Sequence, residues 1–295
     1  MRLHDRPGAF GGLEAPVDYA SARFAVLPIP YDGTSTWLKG ADRGPEAILE
    51  ASGHMELYDV ETGREPFRAG IVTLAPVACP PDPEGVAERV RATALALIDD
   101  GKCVVGLGGE HSVSIGLIQA HAARHPGLTV LQFDAHSDTR DSYEGSRYNH
   151  ACVMARAAEV ADYVQVGIRS MDASELGLLR ESRTFFAHEI AGGLDFIPWM
   201  VERLGDPVYI TIDLDCLDPA FMPSTGTPEP GGLTWHQLTR AIAEVVRRRT
   251  VVGFDVNELL PNPANRAPDF LAARLVYQIM GYLDAKHDDL KGTRN

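Results

Sequence analysis

The segment FDAHSD at 133–138 follows the apolar run LTVLQ and sets Asp134, His136 and Asp138 at alternate positions. On an extended backbone alternate side chains share one face, so two carboxylates and an imidazole would crowd one point. Three further apolar runs end in polar residues. KCVVGLGG leads into Glu110 and His111, PVYITI into Asp213 and Asp215, and VVGF into Asp255, Asn257 and Glu258. If these runs are neighbouring parallel strands, the polar groups meet beyond their carboxyl ends, where open α/β sheets bind ligands.

Such a meeting has an electrostatic consequence. Two carboxylates held about 4–6 Å apart repel by roughly 3–4 kcal/mol at an effective dielectric near 20, more than a typical hydrogen bond returns. Asp134, Asp138, Asp213 and Asp215 must therefore protonate or share cations. Four carboxylates balance two divalent ions, and His111 and His136 add neutral ligands. An oxygen-rich set with two imidazoles suits manganese better than a thiolate-seeking ion, with zinc, iron and cobalt left open. Two ions about 3.5–4 Å apart acidify a shared water, which makes hydrolysis the expected reaction class.

Weaker signals read differently. His121 and His125 in HAARH have metal-like spacing, but they lie at a helix C-terminus, where the dipole favours imidazolium. Cys216, next to Asp215, should point to the other side of its strand and into the core. GLGGE lacks the GxGxxG pattern and the later acidic residue of a nucleotide loop.

The elements that must position these groups are legible as alternation. ARFAVLPIP, KCVVGLGGE, LTVLQFDAH, DYVQVGIRS, RTFFAHEI, PVYITIDLD and TVVGFDVNE read as strands, several buried on both faces. Helical patterns separate them: PEGVAERVRATALALIDDG, SVSIGLIQAHAARHPG, FIPWMVERLGD and TWHQLTRAIAEVVRRR. Gly101 and Gly127 sit where helix C-terminal glycines belong, and Pro83 and Thr234 near helix starts. The expected class is α/β, with helices on the faces of a mainly parallel sheet. No repeat, low-complexity tract or composition shift divides the chain, so 1–295 is expected to form a single domain. About 1–20 and 285–295 are expected to be peripheral, and the polar tail AKHDDLKGTRN to fray.

The 295 residues carry a formal charge of −14, with 45% hydrophobic and 23% charged residues. That balance fits a folded core and argues against nucleic acid or an anionic membrane surface as partner. The cysteines Cys79, Cys103, Cys152 and Cys216 form no CxxC pair, in keeping with a reduced, cytoplasmic protein. No signal-peptide pattern and no run of 18 apolar residues is present, so neither export nor a membrane span is expected.

These motifs resemble the ureohydrolase (arginase/agmatinase) family, and the agmatinases most closely. The resemblance rests on GGEHS at 108–112, FDAHSD at 133–138, NHACVMARA at 149–157, TIDLDCLDPAFMPSTGTPEPGGLT at 211–234, GFDVNE at 253–258 and PYDGTSTWLKGADRGPEAI at 30–48. It implies a three-layer α/β/α, arginase-like fold. It also implies two manganese ions per subunit, one held by His111, Asp134, Asp138 and Asp213, the other by His136, Asp134, Asp213 and Asp215.

By the same resemblance, activated water attacks a guanidinium carbon and urea leaves an amine, with Asp138 accepting a hydrogen bond from the attacking group. His150 would shuttle a proton with a near-neutral pKa, Glu258 would bind the guanidinium, Thr227 would add a hydroxyl acceptor, and Asp255 would orient a metal-bound histidine. The small cationic substrate implied is agmatine, giving putrescine and urea. Guanidinobutyrase, guanidinopropionase, aminopropylagmatine ureohydrolase, formiminoglutamase and arginase activities remain open, as does an inactive family member serving as a binding subunit. Homo-oligomers, trimers or hexamers, are implied too. One departure concerns substrate choice: where arginases have an asparagine two residues past the last DxHxD ligand, this chain has Arg140. It is expected to pair with Asp141 or Glu144 and face away from the pocket.

Overall fold

A computed structural model of the chain describes residues 9–13 and 17–291. In chain order the elements are β1 (Phe24–Ile29), α1 (Gly44–Ser52), β2 (Ile71–Thr73), α2 (Pro83–Asp99), β3 (Cys103–Gly108), α3 (Ser114–Arg124), β4 (Thr129–Phe133), α4 (Val153–Ala157), β5 (Asp162–Ile168), β6 (Thr184–Phe186), α5 (Ala187–Ile190), α6 (Phe196–Arg203), β7 (Val208–Asp213), α7 (Trp235–Arg248), β8 (Val251–Asn257) and α8 (Ala267–Lys291). The strands form one eight-stranded sheet in the order β2-β1-β3-β8-β7-β4-β5-β6. Every pairing in it is parallel.

Both faces of the sheet are covered, and the strand period of two divides the core accordingly. Phe24 and Val26 of β1, Val105 of β3, Leu131 of β4 and Ile210 of β7 pack with α1, α6, α7 and α8. Ala25 and Leu27, Val104, Val130 and Tyr209, one residue out of step, pack with α2, α3 and α4. The result is the three-layer α/β/α architecture. Local chemistry fixes several boundaries. Asp82 caps α2 by accepting from Gly85 N at 2.6 Å, with Pro83 at the first helical position. Thr234 and Gln237 form a capping box at the start of α7. Gly101 and Gly127 take φ of 74° and 80° just past α2 and α3, the left-handed conformation expected there.

Each of the seven expected strands is present, and β2 is added at the sheet edge. The C-terminal tail departs from expectation: α8 continues through Lys291 instead of fraying from residue 285, while 292–295 lie outside the described residues. Among the described residues no helix is long and apolar enough to cross a membrane.

Candidate active site

β3, β4, β7 and β8 are neighbours in the centre of the sheet, and their carboxyl ends deliver the polar groups. The glycines of GLGGE matter here by their small size: a Cβ on Gly108 would meet Asn257 Oδ1 at 1.9 Å, and one on Gly109 would meet Tyr31 O at 2.0 Å. Only glycine lets the His111 turn lie this close to its neighbours.

The three side chains of DxHxD do converge, though not on extended backbone. β4 ends at Phe133. Beyond it the chain leaves the sheet, His136 makes an isolated bridge to Ser170, and Asp138 takes a left-handed φ of 53°. The second acidic pair is likewise split. Asp213 ends β7 and caps the turn Leu214–Cys216 by accepting from Asp215 N at 2.8 Å. Cys216 lies in that turn and is fully buried in the core.

The imidazoles meet the carboxylates through Nδ1. His111 Nδ1 lies 3.0 Å from Asp134 Oδ2, 3.2 Å from Asp138 Oδ2 and 3.5 Å from Asp213 Oδ2. His136 Nδ1 lies 2.9 Å from Asp215 Oδ2 and 3.6 Å from Asp134 Oδ1. Asp134 is thus common to both groupings of potential metal ligands, His111–Asp134–Asp213 and Asp134–His136–Asp215. The buried His111 Nδ1 makes no hydrogen bond of acceptable geometry despite its three near oxygens. Ligands about 2.1 Å from a common octahedral ion stand about 3.0 Å apart, so this spacing and the orphaned nitrogen fit a shared cation. His121 and His125 do not join the cluster. His121 is a core residue, its Nδ1 2.8 Å from Leu117 O and its ring 4.4 Å from that of Tyr209.

Asp134 and Asp215 are also held from outside. Asp134 Oδ2 accepts from Gln132 Nε2 at 2.7 Å, and Oδ1 from His136 N at 2.6 Å. Asp215 Oδ1 accepts from Ala135 N at 3.0 Å. Gln132 is fixed in turn by Gln165, whose Nε2 donates to Gln132 Oε1 at 2.6 Å and to Ser137 O at 2.7 Å. His111 Nε2 lies 2.9 Å from Thr211 Oγ1, which donates to Asp255 Oδ1 at 2.7 Å. Asp255 therefore reaches the histidine through a hydroxyl rather than directly. Arg169 Nη2 donates to Asp215 O and Glu229 O at 2.6 and 2.8 Å, tying the Asp215 turn to the following loop.

Electrostatics set the buried acids and imidazoles against one another. Burial alone would lower the His111 imidazole, but Asp134 and Asp138 hold it well above its usual value. Burial is likewise outweighed at His136, which Asp215 and Asp134 raise. Burial, then Asp215 and Asp134, push Asp213 well up, and burial, then Glu110, push Glu258 up. Buried acids forced towards neutrality beside imidazoles forced towards charge are what divalent cations would relieve.

Glu258 sits just past β8 with φ of 66°. Its N–H donates to Gly109 O at 2.7 Å, and its Oε1 accepts from His111 N at 2.7 Å. His150 begins the turn His150–Cys152, which packs against the His111 turn. Its Nδ1 lies 3.1 Å from Thr34 Oγ1. Burial, then the charge of His136 and His111, lower His150 to about 4, below the near-neutral value expected. Thr227 is exposed, whereas Thr225 is buried with its hydroxyl unpaired. Arg140 does not pair with Asp141 or Glu144. Its Nε donates to Glu175 Oε2 at 3.3 Å and its guanidinium lies 4.4 Å from the Tyr143 ring, while Asp141 pairs with Arg147 and Arg156. The reason is burial: Glu175, 3% exposed, sits in a lower effective dielectric than the solvated Asp141 and attracts the guanidinium more strongly.

Sequence reasoning missed Gln132, Gln165, Thr211, Arg169 and Glu175. The pattern of Gln132 two residues before Asp134, on the same strand face, is the one signal that could have found any of them.

Known proteins resemble this chain along most of its length. An N(1)-aminopropylagmatine ureohydrolase of Thermus thermophilus is 43% identical over 92% of this chain and 93% of its own length. One of Synechocystis sp. is 39% identical over 94% of each chain. The crystal structure of agmatine ureohydrolase of Thermoplasma volcanium superposes with a TM-score of 0.85 at 32% identity, covering 92% of this chain and 93% of that one. The model of the arginase family matches residues 22–281, and the chain belongs to the arginase family.

Proposed function

We propose that the chain is a binuclear, manganese-dependent ureohydrolase that converts agmatine to putrescine and urea. The observation that carries this reading is the pair of Nδ1-to-carboxylate groupings sharing Asp134, with the Glu258 carboxylate hydrogen-bonded to the backbone of the same histidine that anchors the first grouping. His111, Asp134, Asp138 and Asp213 would hold one ion, and His136, Asp134, Asp213 and Asp215 the other. Bound there, divalent ions would neutralise the acids and supply an acidified water and Lewis-acid polarisation.

The chain's own residues do the rest. Glu258 binds the guanidinium: Oε1 is fixed by His111 N, and Oε2 is left to accept from the substrate. The strained φ at Glu258 is tolerated because both its N–H and its carboxylate are tied down. Asp138 accepts a hydrogen bond from the attacking water, and Thr227 adds a hydroxyl acceptor to the guanidinium. As the bond between the guanidinium carbon and the alkyl nitrogen breaks, its electron pair stays with that nitrogen, which needs a proton. His150, held neutral at pH 7 by burial, takes a proton on its free ring nitrogen and passes it to the amine.

A second substrate reading has a specific basis. Relatives at 37–43% identity are named N(1)-aminopropylagmatine ureohydrolase, whereas the agmatinase of Pyrococcus horikoshii is 33% identical. The substrate would then be agmatine carrying an aminopropyl tail. Urea release from manganese-loaded protein decides between them. A kcat/KM for agmatine at least equal to that for the aminopropyl derivative supports the first reading, the reverse order supports the second, and release from neither removes both.

The same proposal includes a single domain over 1–295, a cytoplasmic setting and a trimeric or hexameric assembly.

A further inference from the structure

The segment between β1 and α1 borders the site on two sides. Asp32 pins its start to its end, Oδ2 accepting from Gly40 N at 2.5 Å and Ala41 N at 3.1 Å. Between these points a Cβ built on Gly226 would lie 3.6 Å from Leu38 O and 3.7 Å from Glu258 Oε2, so the segment runs beside the guanidinium-binding carboxylate. Thr34, in the same segment, is buried against His150.

One oxygen, Thr34 Oγ1, meets His150 twice. It accepts from His150 N at 3.0 Å and lies 3.1 Å from His150 Nδ1. Two contacts from the backbone and the ring of one residue to one atom leave the imidazole little rotamer freedom. The opposite flank is closed by the Tyr143 ring, at 6.1 Å and 89° to the imidazole, itself covered by Arg140. With Nδ1 engaged by Oγ1, Nε2 is the ring nitrogen left for the reacting groups.

We propose that Thr34 is a positioning residue for proton transfer, its hydroxyl fixing the His150 ring through Nδ1 with Nε2 open to the reacting groups. The inference rests on the reading of His150 as the proton carrier. In that role Nε2 takes a proton from solvent water and delivers it to the nitrogen that keeps the electron pair of the broken C–N bond. A ring free to flip would start turnovers with the wrong nitrogen facing the reacting groups.

The test uses the full chain with Thr34→Val, which keeps the shape and removes the hydroxyl, and Thr34→Ser, which restores it. In the manganese-loaded enzyme Thr34→Val is expected to lower kcat about 10- to 100-fold with KM changed less than about twofold and metal content unchanged, and Thr34→Ser to recover most of the loss. Nitrogen-15 NMR of the magnesium-loaded protein, with histidines labelled, is expected to show a single His150 tautomer in wild type and a mixture of tautomers in Thr34→Val. An unchanged kcat in Thr34→Val, or a loss of metal and KM together, overturns the proposal. So does a mixture of His150 tautomers in wild type, whatever the variants do. If wild type releases no urea from any guanidine, the ureohydrolase reading fails by itself, and the tautomer measurement still decides the role of Thr34.

Discussion

Glu258 Oε1 accepts a hydrogen bond from the backbone N–H of His111 at 2.7 Å. The residue assigned to the guanidinium and the residue assigned to the first ion are therefore held by one bond, across 147 positions of sequence. Glu258→Gln retains an acceptor for His111 N but loses the charge that meets the substrate. It is expected to lower kcat/KM by about 10- to 150-fold, the value of a charge-assisted hydrogen bond of about 1.5–3 kcal/mol, with metal content unchanged. Steady-state kinetics beside metal analysis checks this.

Asp134 faces both imidazoles, with Oδ2 towards His111 and Oδ1 towards His136. Asp134→Asn is expected to lose metal and urea release together. Chelation of the wild type should also lower its melting temperature, because an ion that binds the folded state alone stabilises it by RT ln(1 + [M]/Kd). Scanning calorimetry with and without chelator measures the shift. Full turnover by Asp134→Asn would place the shared ligand elsewhere.

Gln165 Nε2 donates to Gln132 and Ser137, neither assigned to the metals, yet through Gln132 it holds Asp134. Gln165→Met keeps the volume and leaves the Gln132 and Ser137 carbonyl oxygens short of a buried donor. Stability should fall by about 1–3 kcal/mol and metal affinity by about 10- to 100-fold. Chemical denaturation and a metal titration check the two effects separately.

Glu175 gathers the chain around the cleft loop, accepting from Ser137 Oγ at 2.6 Å, Thr139 N at 3.1 Å, Asp172 N at 2.9 Å and Arg140 Nε at 3.3 Å. Burial would raise its carboxyl, but these bonds outweigh burial and hold it below its ordinary value of 4.5. A carboxyl depressed in the folded state stabilises fully above its unfolded pKa, and that stability is lost as pH falls through the folded one. Glu175→Gln should thus be less stable than wild type at pH 7, and the gap should close below about pH 4.5. Urea denaturation at stepped pH follows it, and a gap that widens on acidification would contradict the assignment.

Much of this arrangement was readable from the residues, because the strands are buried on both faces and their polar ends stand out against continuous apolar runs. β2, with only Ile71–Thr73, is too short to show a period. α8 hid for a different reason. Ala272, Leu275, Val276, Tyr277, Ile279 and Met280 are all buried, and the helix packs on both α1 and α7, so no single apolar stripe marks it. At the site, the acids and imidazoles were legible by type and spacing. Their supports were not, since Thr211 reaches His111 across 100 positions and Glu175 reaches Thr139 across 36. Arg140 shows the same limit: proximity in sequence favoured Asp141, and burial in the fold favoured Glu175.

The central claim, two divalent ions sharing Asp134, is tested most directly by anomalous diffraction from manganese-loaded crystals. Two peaks per chain are expected, one beside His111 Nδ1 and one beside His136 Nδ1, with Asp134 between them. A single peak, or none at these nitrogens, would contradict it.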